Sequence, residues 1–420
     1  MNKKWCATLA AVMVALFCSM SAYADKKPGE LLVAVLNNDV KKVQRLIKKK
    51  VNVNTRNIYG DSALILATKE GFVNVAKLLI DAGANVNAKD KKDETVLMYA
   101  ASKNAVNIAR PLIAAGADVN AKDKYGRTAL MYAAADTAEL LIDAGADVNA
   151  KSMYDGSTAL TRAASNHSVD AVKVLIEAGA DVNASNWVLG GNDGFTALMY
   201  AARWSDTKMA KMLIDAGANV NEISMNAMEV KTALMIAAQK NAAGVVKLLL
   251  EAGADVNYKG REPWDPTALA YAVAENHAEV ARMLVEAGAE IDFLSAAYLN
   301  KVDIVLQHIK EGLDVNIRGF AYVWGMPILS LAAMGNAVDV VKVLLEAGAD
   351  VNLRSHEHDG NTTALMWAAK SDAVDVAKLL IKSGANVNAK DIYGKSVLKY
   401  ASENGATGVE WILRAEGARY

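Results

Sequence analysis

The feature that most constrains this chain is a five-residue phrase, Gly-Ala-(Asp/Asn)-Val-Asn, that returns along most of its length. The phrase begins at Gly83, Gly116, Gly145, Gly179, Gly217, Gly253, Gly348 and Gly384. Most neighbouring copies are close to 33 residues apart, as between the first two. A chain of 420 residues exceeds the usual size of a single hydrophobic core. Because self-similarity at a fixed period indicates units that stack on one another, the sequence predicts a repeat array.

One unit, residues 91–120, shows what each position does. Thr95 is placed to cap a first helix by accepting a backbone N–H. Asn104 lies where the chain must reverse, and asparagine tolerates the left-handed conformation that such a reversal needs. Ile108 and the apolar positions that follow it form the stripe of a second helix, which ends at Gly116. The unit therefore predicts a short inner helix, a turn, an outer helix and a hairpin that leads into the next unit.

A second phrase, typified by residues 128–134 (Thr-Ala-Leu-Met-Tyr-Ala-Ala), lies upstream of the outer-helix stripe. Together with the glycine phrase and the period, it resembles the ankyrin repeat. The resemblance implies an all-α repeat solenoid of helix-turn-helix units joined by β-hairpin loops, with about twelve units covering nearly all of the chain. The family's usual Thr-Pro-Leu-His is here Thr-Ala-Leu-Met, as at Thr196–Met199, so methionine packing replaces a hydrogen-bonding histidine.

The array is irregular between Gly116 and Gly145, which are only 29 residues apart. The turn between the two helices is shortened here. Pro111, one unit earlier, is expected to interrupt its outer helix, because proline lacks an N–H and clashes with the preceding turn at a cost of about 3 kcal/mol. Residues 105–140 are therefore predicted to form either a bend or a locally repacked segment.

A second irregularity begins near residue 290. Residues 293–316 give two helices but lack the usual hairpin lead-in, as does the opening unit at 31–54. A first repeat commonly lacks this hairpin because it has no neighbour on that side. We therefore expect one array over residues 25–289 and a second over 290–420, either continuous with the first or separated from it by a break in curvature near 290.

The beginning of the chain has the pattern of a leader. Two lysines precede an apolar run over about residues 6–20, which is followed by Ser-Ala-Tyr-Ala ending at Ala24. This pattern predicts a secretory signal peptide over residues 1–24, cleaved after Ala24. A membrane anchor is the alternative, but the run is shorter than the ~20 residues that a span needs. Both cysteines, Cys6 and Cys18, would be removed, so the mature chain forms no disulfide. We expect a bacterial protein that is periplasmic or secreted.

Five hairpins are longer than the period allows, and inserted residues concentrate on one face of a repeat array. The insertions cover residues 185–193, 222–230, 258–265, 318–325 and 354–361. Tryptophan, tyrosine and arginine, which are common at interface hot spots, recur in these hairpins, at the standard hairpin tips and at one inner-helix end. The candidate partner-binding residues are Tyr59, Tyr125, Trp187, Phe195, Arg203, Trp204, Tyr258, Arg261, Trp264, Phe320, Tyr322, Trp324 and Tyr393. The alternative is that these rings fold back over the ends of the helices.

Other recurring residues are interpreted structurally. One helical position holds aromatic side chains that we assign mainly to the core: Tyr99, Tyr132, Tyr200 and Trp367. The Lys-Asp pairs in the connectors, such as Lys122-Asp123, are interpreted as solvated hairpin bases. Asp118, Asp147 and Asp181 recur at the period, so they stack in a row, and we expect them to make local hydrogen bonds.

The sequence gives little support to catalysis. It holds five histidines, and none has a recognisable nucleophile beside it. His356 and His358 are two residues apart, so on an extended arm they face the same side and are a weak candidate for a metal pair. A solvated hairpin explains them equally well. We expect no enzyme and no cofactor.

The favoured hypothesis is therefore an interaction scaffold. A monomeric array would bind a protein or peptide through the concave face formed by hairpin tips and inner helices. The formal charge of −1 gives no reason to expect nucleic acid or an anionic membrane as partner, and we expect no membrane insertion after the leader is cleaved. The alternative is a structural spacer without a specific partner; a metal-binding or enzymatic protein ranks below both.

Overall fold

The computed structural model describes residues 27–186, 194–224, 230–260, 265–319, 325–356 and 360–419. Over these ranges the chain forms twelve successive helix pairs, which we number repeats 1 to 12. The inner and outer helices of repeats 1 to 6 are Lys27–Leu36 and Val40–Lys48, Ala63–Lys69 and Val73–Asp81, Val96–Ser102 and Val106–Ala114, Ala129–Tyr132 and Ala135–Asp143, Ala159–Ser165 and Val169–Glu177, and Ala197–Arg203 and Thr207–Asp215. Those of repeats 7 to 12 are Ala233–Gln239 and Ala243–Glu251, Ala268–Ala274 and Ala278–Glu286, Phe293–Tyr298 and Val302–Lys310, Ile328–Met334 and Val338–Glu346, Ala364–Lys370 and Val374–Lys382, and Val397–Glu403 and Thr407–Ala415. The predicted all-α solenoid of about twelve units is confirmed.

The hairpins contain no regular strand within the described ranges. Five of them close on a single antiparallel bridge, for example between Lys89 and Thr95. The predicted leader, residues 1–24, lies outside the described ranges. None of the helices described is long and apolar enough to cross a membrane.

Most inner helices begin at a threonine or serine, as the sequence predicts. The Thr95 side chain accepts a hydrogen bond from the Met98 N–H at 3.2 Å, which confirms the cap. The turn between helices is made by one residue with positive φ, and Asn104, at φ 50°, has the predicted left-handed conformation. The other repeats place asparagine, glycine, histidine, serine or aspartate there, and repeat 4 has no such residue.

Repeat 4 accommodates its missing turn by shortening the inner helix. Ala129–Tyr132 is a 3₁₀ helix, and Ala133 is already extended before the outer helix begins at Ala135. The neighbouring prediction for Pro111 was wrong, because its helix runs unbroken over Val106–Ala114 and has nine residues like the other outer helices. The proline sits at the sixth position, where it removes a single hydrogen-bond donor, and the Ala115 N–H still donates to its carbonyl at 3.0 Å.

The described chain divides into two bodies. The N-terminal body comprises residues 27–204 and 208–224, and the C-terminal body comprises residues 205–207 and 230–419. Within each body, inner helices pack on inner helices and outer on outer. Repeats 9 to 12 share one apolar core that runs from Ala296 to Leu413. The predicted break near residue 290 stays a prediction.

Many successive repeats are also joined by an asparagine of the connector, in most cases the one that ends the glycine phrase. Asn87 accepts a hydrogen bond from the Asp118 N–H at 2.8 Å and donates one to the Gly116 carbonyl at 3.1 Å, so it bridges two repeats. The acceptor half of this bridge recurs at Asn54, Asn120, Asn149, Asn183, Asn257, Asn316, Asn352 and Asn388. We call this series the asparagine ladder. The aspartates interpreted as local hydrogen-bonding groups do act in this way, since Asp118 accepts from the Asn120 N–H at 2.9 Å.

Candidate functional site

The inner helices anchor the hairpins through one aromatic position. The Tyr132 hydroxyl donates to Asp123 at 2.9 Å, and the Tyr400 hydroxyl donates to Asp391 at the same distance. The indole N–H of Trp367 donates to the Thr362 hydroxyl at 3.0 Å. Burial and these hydrogen bonds to a carboxylate raise the pKa of both tyrosines, so their hydroxyls remain protonated donors near neutral pH. These three aromatic residues therefore hold their hairpins against the inner helices.

The aspartates of the Lys-Asp pairs are buried, which corrects their interpretation as solvated hairpin bases. Asp123 is only 4% exposed. One of its carboxylate oxygens accepts from the N–H groups of Tyr125 and Arg127 at 2.8 and 2.9 Å. The other accepts from the Arg127 guanidinium at 2.8 Å. Burial alone would raise the pKa of Asp123, but the hydrogen bonds from Arg127, Tyr132 and Tyr125 outweigh it and hold the pKa below its ordinary value.

Cations cover the outer faces of these rings. The Lys69 ammonium lies 4.3 Å from the centre of the Tyr99 ring. Arg127 and Arg162 lie 5.2 and 5.9 Å from the centre of the Tyr132 ring. Because each ring is hydrogen-bonded at its hydroxyl and covered on a face, Tyr99 and Tyr132 offer little surface to a partner.

Several predicted binding residues lie outside the described ranges. These are Trp187, Arg261, Trp264, Phe320, Tyr322 and Trp324. Phe195 is buried and packs edge-to-face against Tyr200, with ring centres 5.4 Å apart. Tyr258 is half-buried, whereas Arg203 is exposed.

Trp204 contacts the preceding repeat and is also partly exposed to solvent. Its indole N–H donates to the Ala164 carbonyl at 3.1 Å, and its ring stacks on His167 with centres 5.4 Å apart. The side chain nevertheless remains 45% exposed. It therefore ties repeat 6 to repeat 5 while leaving an aromatic edge in solvent.

The predicted tyrosines at the standard hairpin tips are accessible to different degrees. Tyr59 is 63% exposed and Tyr393 is 81% exposed. Tyr125 is half-buried, because Tyr154 from the next tip contacts it edge-on with ring centres 5.4 Å apart. The tips thus present aromatic surface to solvent.

The tips also expose apolar residues that the sequence reasoning missed. Ile58, Met153, Tyr154 and Ile392 are large, exposed and located at tips, and Trp411 is exposed on the last outer helix. A signal for them exists in the sequence. Ile58, Met153 and Ile392 each stand directly before a tip tyrosine, which forms a recurring apolar-tyrosine pair.

A shallow pocket lies beside the last tip. Tyr393, Gly394, Lys395, Ser396, Lys399 and Glu403 line it. Glu403 bonds both lysines, with Nζ-to-oxygen distances of 2.6 and 3.2 Å. The hydrogen bonds from these lysines lower the pKa of Glu403, so the pocket holds one carboxylate shared by two cations.

The histidines have structural surroundings where they are described. His277 contacts the Ala238 carbonyl through Nδ1 at 2.9 Å, and His308 contacts the Ile304 carbonyl at 2.8 Å. His356 is exposed, while its predicted metal partner His358 lies outside the described ranges. Among the residues that the structure describes, no three histidine, cysteine or acidic side chains are grouped to hold a metal ion.

Comparison with known proteins agrees with this architecture. No curated protein matches the chain. Among solved structures it is similar to the crystal structure of the ankyrin repeat domain of Bcl-3, a unique member of the IkappaB protein family, at 27% identity and a TM-score of 0.44, covering 52% of this chain and 97% of that one. The family model described as ankyrin repeats (3 copies) matches in overlapping segments: residues 31–123, 89–152, 116–186, 136–224, 221–295, 293–391 and 356–420. Ankyrin repeats are generally protein–protein interaction modules and typically non-enzymatic scaffolds. Since these segments cover nearly all of the twelve helix pairs, the chain belongs to the ankyrin-repeat family.

Proposed function

We propose that this protein binds another protein or a peptide through the face formed by its hairpin tips and inner helices, the concave face of an ankyrin array. The observation that carries the proposal is the exposure of apolar-tyrosine pairs at the tips, such as Ile58-Tyr59 and Ile392-Tyr393. Other large apolar side chains are mostly packed between helices. Solvent-facing tip pairs add nothing to that packing, so a spacer would gain nothing from them.

A photo-crosslinking experiment tests this proposal. A photoreactive amino acid replaces Tyr59, Tyr154 or Tyr393 at a tip, or Glu139 or Lys173 on an outer helix as matched controls. The parent and each variant are irradiated in cells and the adducts are identified. We expect one protein adduct shared by the tip positions and missing from the controls. Equal adducts from both faces, or none from the tips, would favour the spacer.

We propose in addition that the chain is exported by a bacterium to the periplasm or the medium and acts there as a monomer. The leader-like residues up to Ala24 support export. Amino-terminal sequencing of the protein recovered from the envelope and medium tests it, with Asp25 as the expected first residue. Recovery of the uncleaved chain from the cytoplasm would contradict it. Light scattering on the purified mature chain tests the monomer.

A further inference from the structure

We infer that the hairpin tips joining repeats 1 to 5 form a binding surface for an acidic, extended protein segment that also carries apolar side chains. This inference rests on the proposed function and specifies its partner. We call the region the basic tip surface. Its cations are Arg56, Lys89, Lys91, Lys92, Lys122, Lys124 and Lys151, and its apolar members are Ile58, Tyr59, Tyr125, Met153 and Tyr154.

Three carboxylates of these hairpins point inward. Asp61 pairs with Lys69 at 2.6 Å, and Asp155 pairs with Arg162 at 3.2 Å. Asp123 likewise pairs with Arg127, beneath the third tip. Each of these carboxylates is neutralised by a cation from its own hairpin or from an inner helix.

The cations of the basic tip surface have no such partner. All seven are exposed, and none makes an ion pair with a carboxylate in the described part of the chain. In the tip segments 56–62, 89–95, 122–128 and 151–158, which the structure describes throughout, Asp93 is the only exposed carboxylate. Because the whole chain has a formal charge of −1, this excess of positive charge is local.

Hydrogen bonds between neighbouring tips join the surface into one strip. The Lys124 N–H donates to the Lys92 carbonyl at 3.1 Å, and the Met153 N–H donates to the Tyr125 carbonyl at 2.9 Å. The Arg56 guanidinium donates to the carbonyls of Gly60 and Lys89. The backbone that carries the cations is therefore held in a fixed row, which lowers the entropic cost of binding.

Apolar groups occupy both ends of this row. Met153 and Tyr154, exposed by 66% and 57%, form one end together with Tyr125. Ile58 and Tyr59 form the other end. A row of cations between apolar anchors complements a chain in which carboxylates are interspersed with apolar side chains. Vesicles with anionic headgroups are the alternative occupant, because a bilayer also accepts cations beside apolar side chains, and the test below compares them with the peptide.

The tip at Tyr393 provides an internal comparison. It is equally aromatic, but Glu403 pairs with the two lysines beside it, Lys395 and Lys399. The lysines beside an aromatic tip are therefore ion-paired at Tyr393, whereas the seven cations of the basic tip surface are not. This difference makes the inference testable within one molecule.

The test uses the full mature chain and a fluorescent peptide in which glutamate alternates with leucine and tyrosine. Four tips about 10 Å apart span ~30 Å, which about ten to twelve extended residues cover. Fluorescence anisotropy then measures the dissociation constant at low and high salt. We expect binding that weakens as salt screens the charges, and no binding of the same peptide with lysine in place of glutamate.

Charge-reversal variants locate the binding site. The tip variant Lys91→Glu, Lys92→Glu, Lys124→Glu is expected to weaken peptide binding at least about tenfold. The matched control Lys41→Glu, Lys48→Glu, Lys77→Glu changes exposed outer-helix lysines and makes the same charge change, and it is expected to leave the dissociation constant within about twofold. Met153→Ser with Tyr154→Ser is expected to weaken binding without changing its salt dependence. Circular dichroism and the urea midpoint verify that all variants fold.

Three results would overturn the inference: equal losses from tip and control variants, binding that does not depend on salt, or tighter binding to vesicles of phosphatidylserine and phosphatidylcholine than to the peptide. These results are separable from failure of the proposed function. Tip adducts in photo-crosslinking combined with any of these three would refute only the acidic partner. Loss of tip adducts together with loss of peptide binding would refute both.

Discussion

Replacing Asn87 by alanine removes both of its bonds to the next repeat, those to the Asp118 N–H and the Gly116 carbonyl. A net intramolecular hydrogen bond contributes about 0.5–1.5 kcal/mol. Gly116 and Asp118 are exposed, so water can replace the lost partner and no full desolvation penalty is added. We therefore expect the free energy of unfolding to fall by about 1–2 kcal/mol.

Asn85→Ala is the matched control. The Asn85 side chain accepts only from the Asn87 N–H at 2.9 Å, a bond within its own loop. This variant also replaces an asparagine by alanine, two positions before Asn87, but it keeps the bridge that Asn87 makes between repeats. We expect a smaller loss, about 0.5–1 kcal/mol.

Urea unfolding followed by circular dichroism measures both variants. Repeat arrays lose cooperativity when one interface is weakened, so hydrogen exchange at the Asp118 amide should be measured as well. We expect faster exchange there in Asn87→Ala and little change in Asn85→Ala. Equal destabilisation by both variants, or unchanged exchange at Asp118, would refute the argument that the asparagine ladder couples repeats.

Three further outcomes follow from the repeat chemistry. Thr95→Ala should lower the free energy of unfolding by about 1 kcal/mol, whereas Thr95→Ser keeps the cap; urea titration distinguishes them. Gly126→Ala should destabilise more than Gly83→Ala in the same titration. Both glycines have positive φ, but a Cβ at Gly126 would also lie 2.9 Å from the Met153 backbone nitrogen. The lowered pKa of Asp123 means that its contribution is present above the ordinary aspartate pKa and is lost as pH falls below it; Asp123→Asn should flatten that part of the acid-unfolding curve.

Sequence reasoning succeeds here wherever the signal is local. The Thr95 cap, the reversal at Asn104 and the glycine that ends most outer helices depend on residues within one turn of each other, so their types are enough to predict the backbone. Because the same local signals recur in most units, together they predict the fold reliably even though each of them is weak. The same logic predicted the missing turn of repeat 4 from its shortened interval.

Two predictions, those for Pro111 and Asp123, were wrong because contacts with residues further along the chain decide the structure there. The effect of Pro111 was overestimated because packing against neighbouring repeats stabilises a helix that has lost one bond. The sequence alone suggests that Asp123 is solvated, because its hydrogen-bond partner Tyr132 lies nine residues further along the chain, on the inner helix. At the candidate site, Tyr59 and Tyr393 were predicted and are exposed, while the exposed Met153 was missed because methionine is usually core.

The burial of Asp123 also explains how a nearly neutral chain can have the basic tip surface. In two hairpins the aspartate just before the tip, Asp123 or Asp391, accepts from the N–H groups of the turn, and the inner-helix tyrosine adds a further donor to it. A carboxylate that accepts in this way is turned inward and paired, whereas the lysines beside it, such as Lys122 and Lys124, have no role in the turn and remain outside. The residue that stabilises this loop and the residues that we propose to bind the partner are therefore adjacent positions of the same loop. Substitution of the inward carboxylate should change unfolding, and reversal of the outward charge should change binding with little effect on stability.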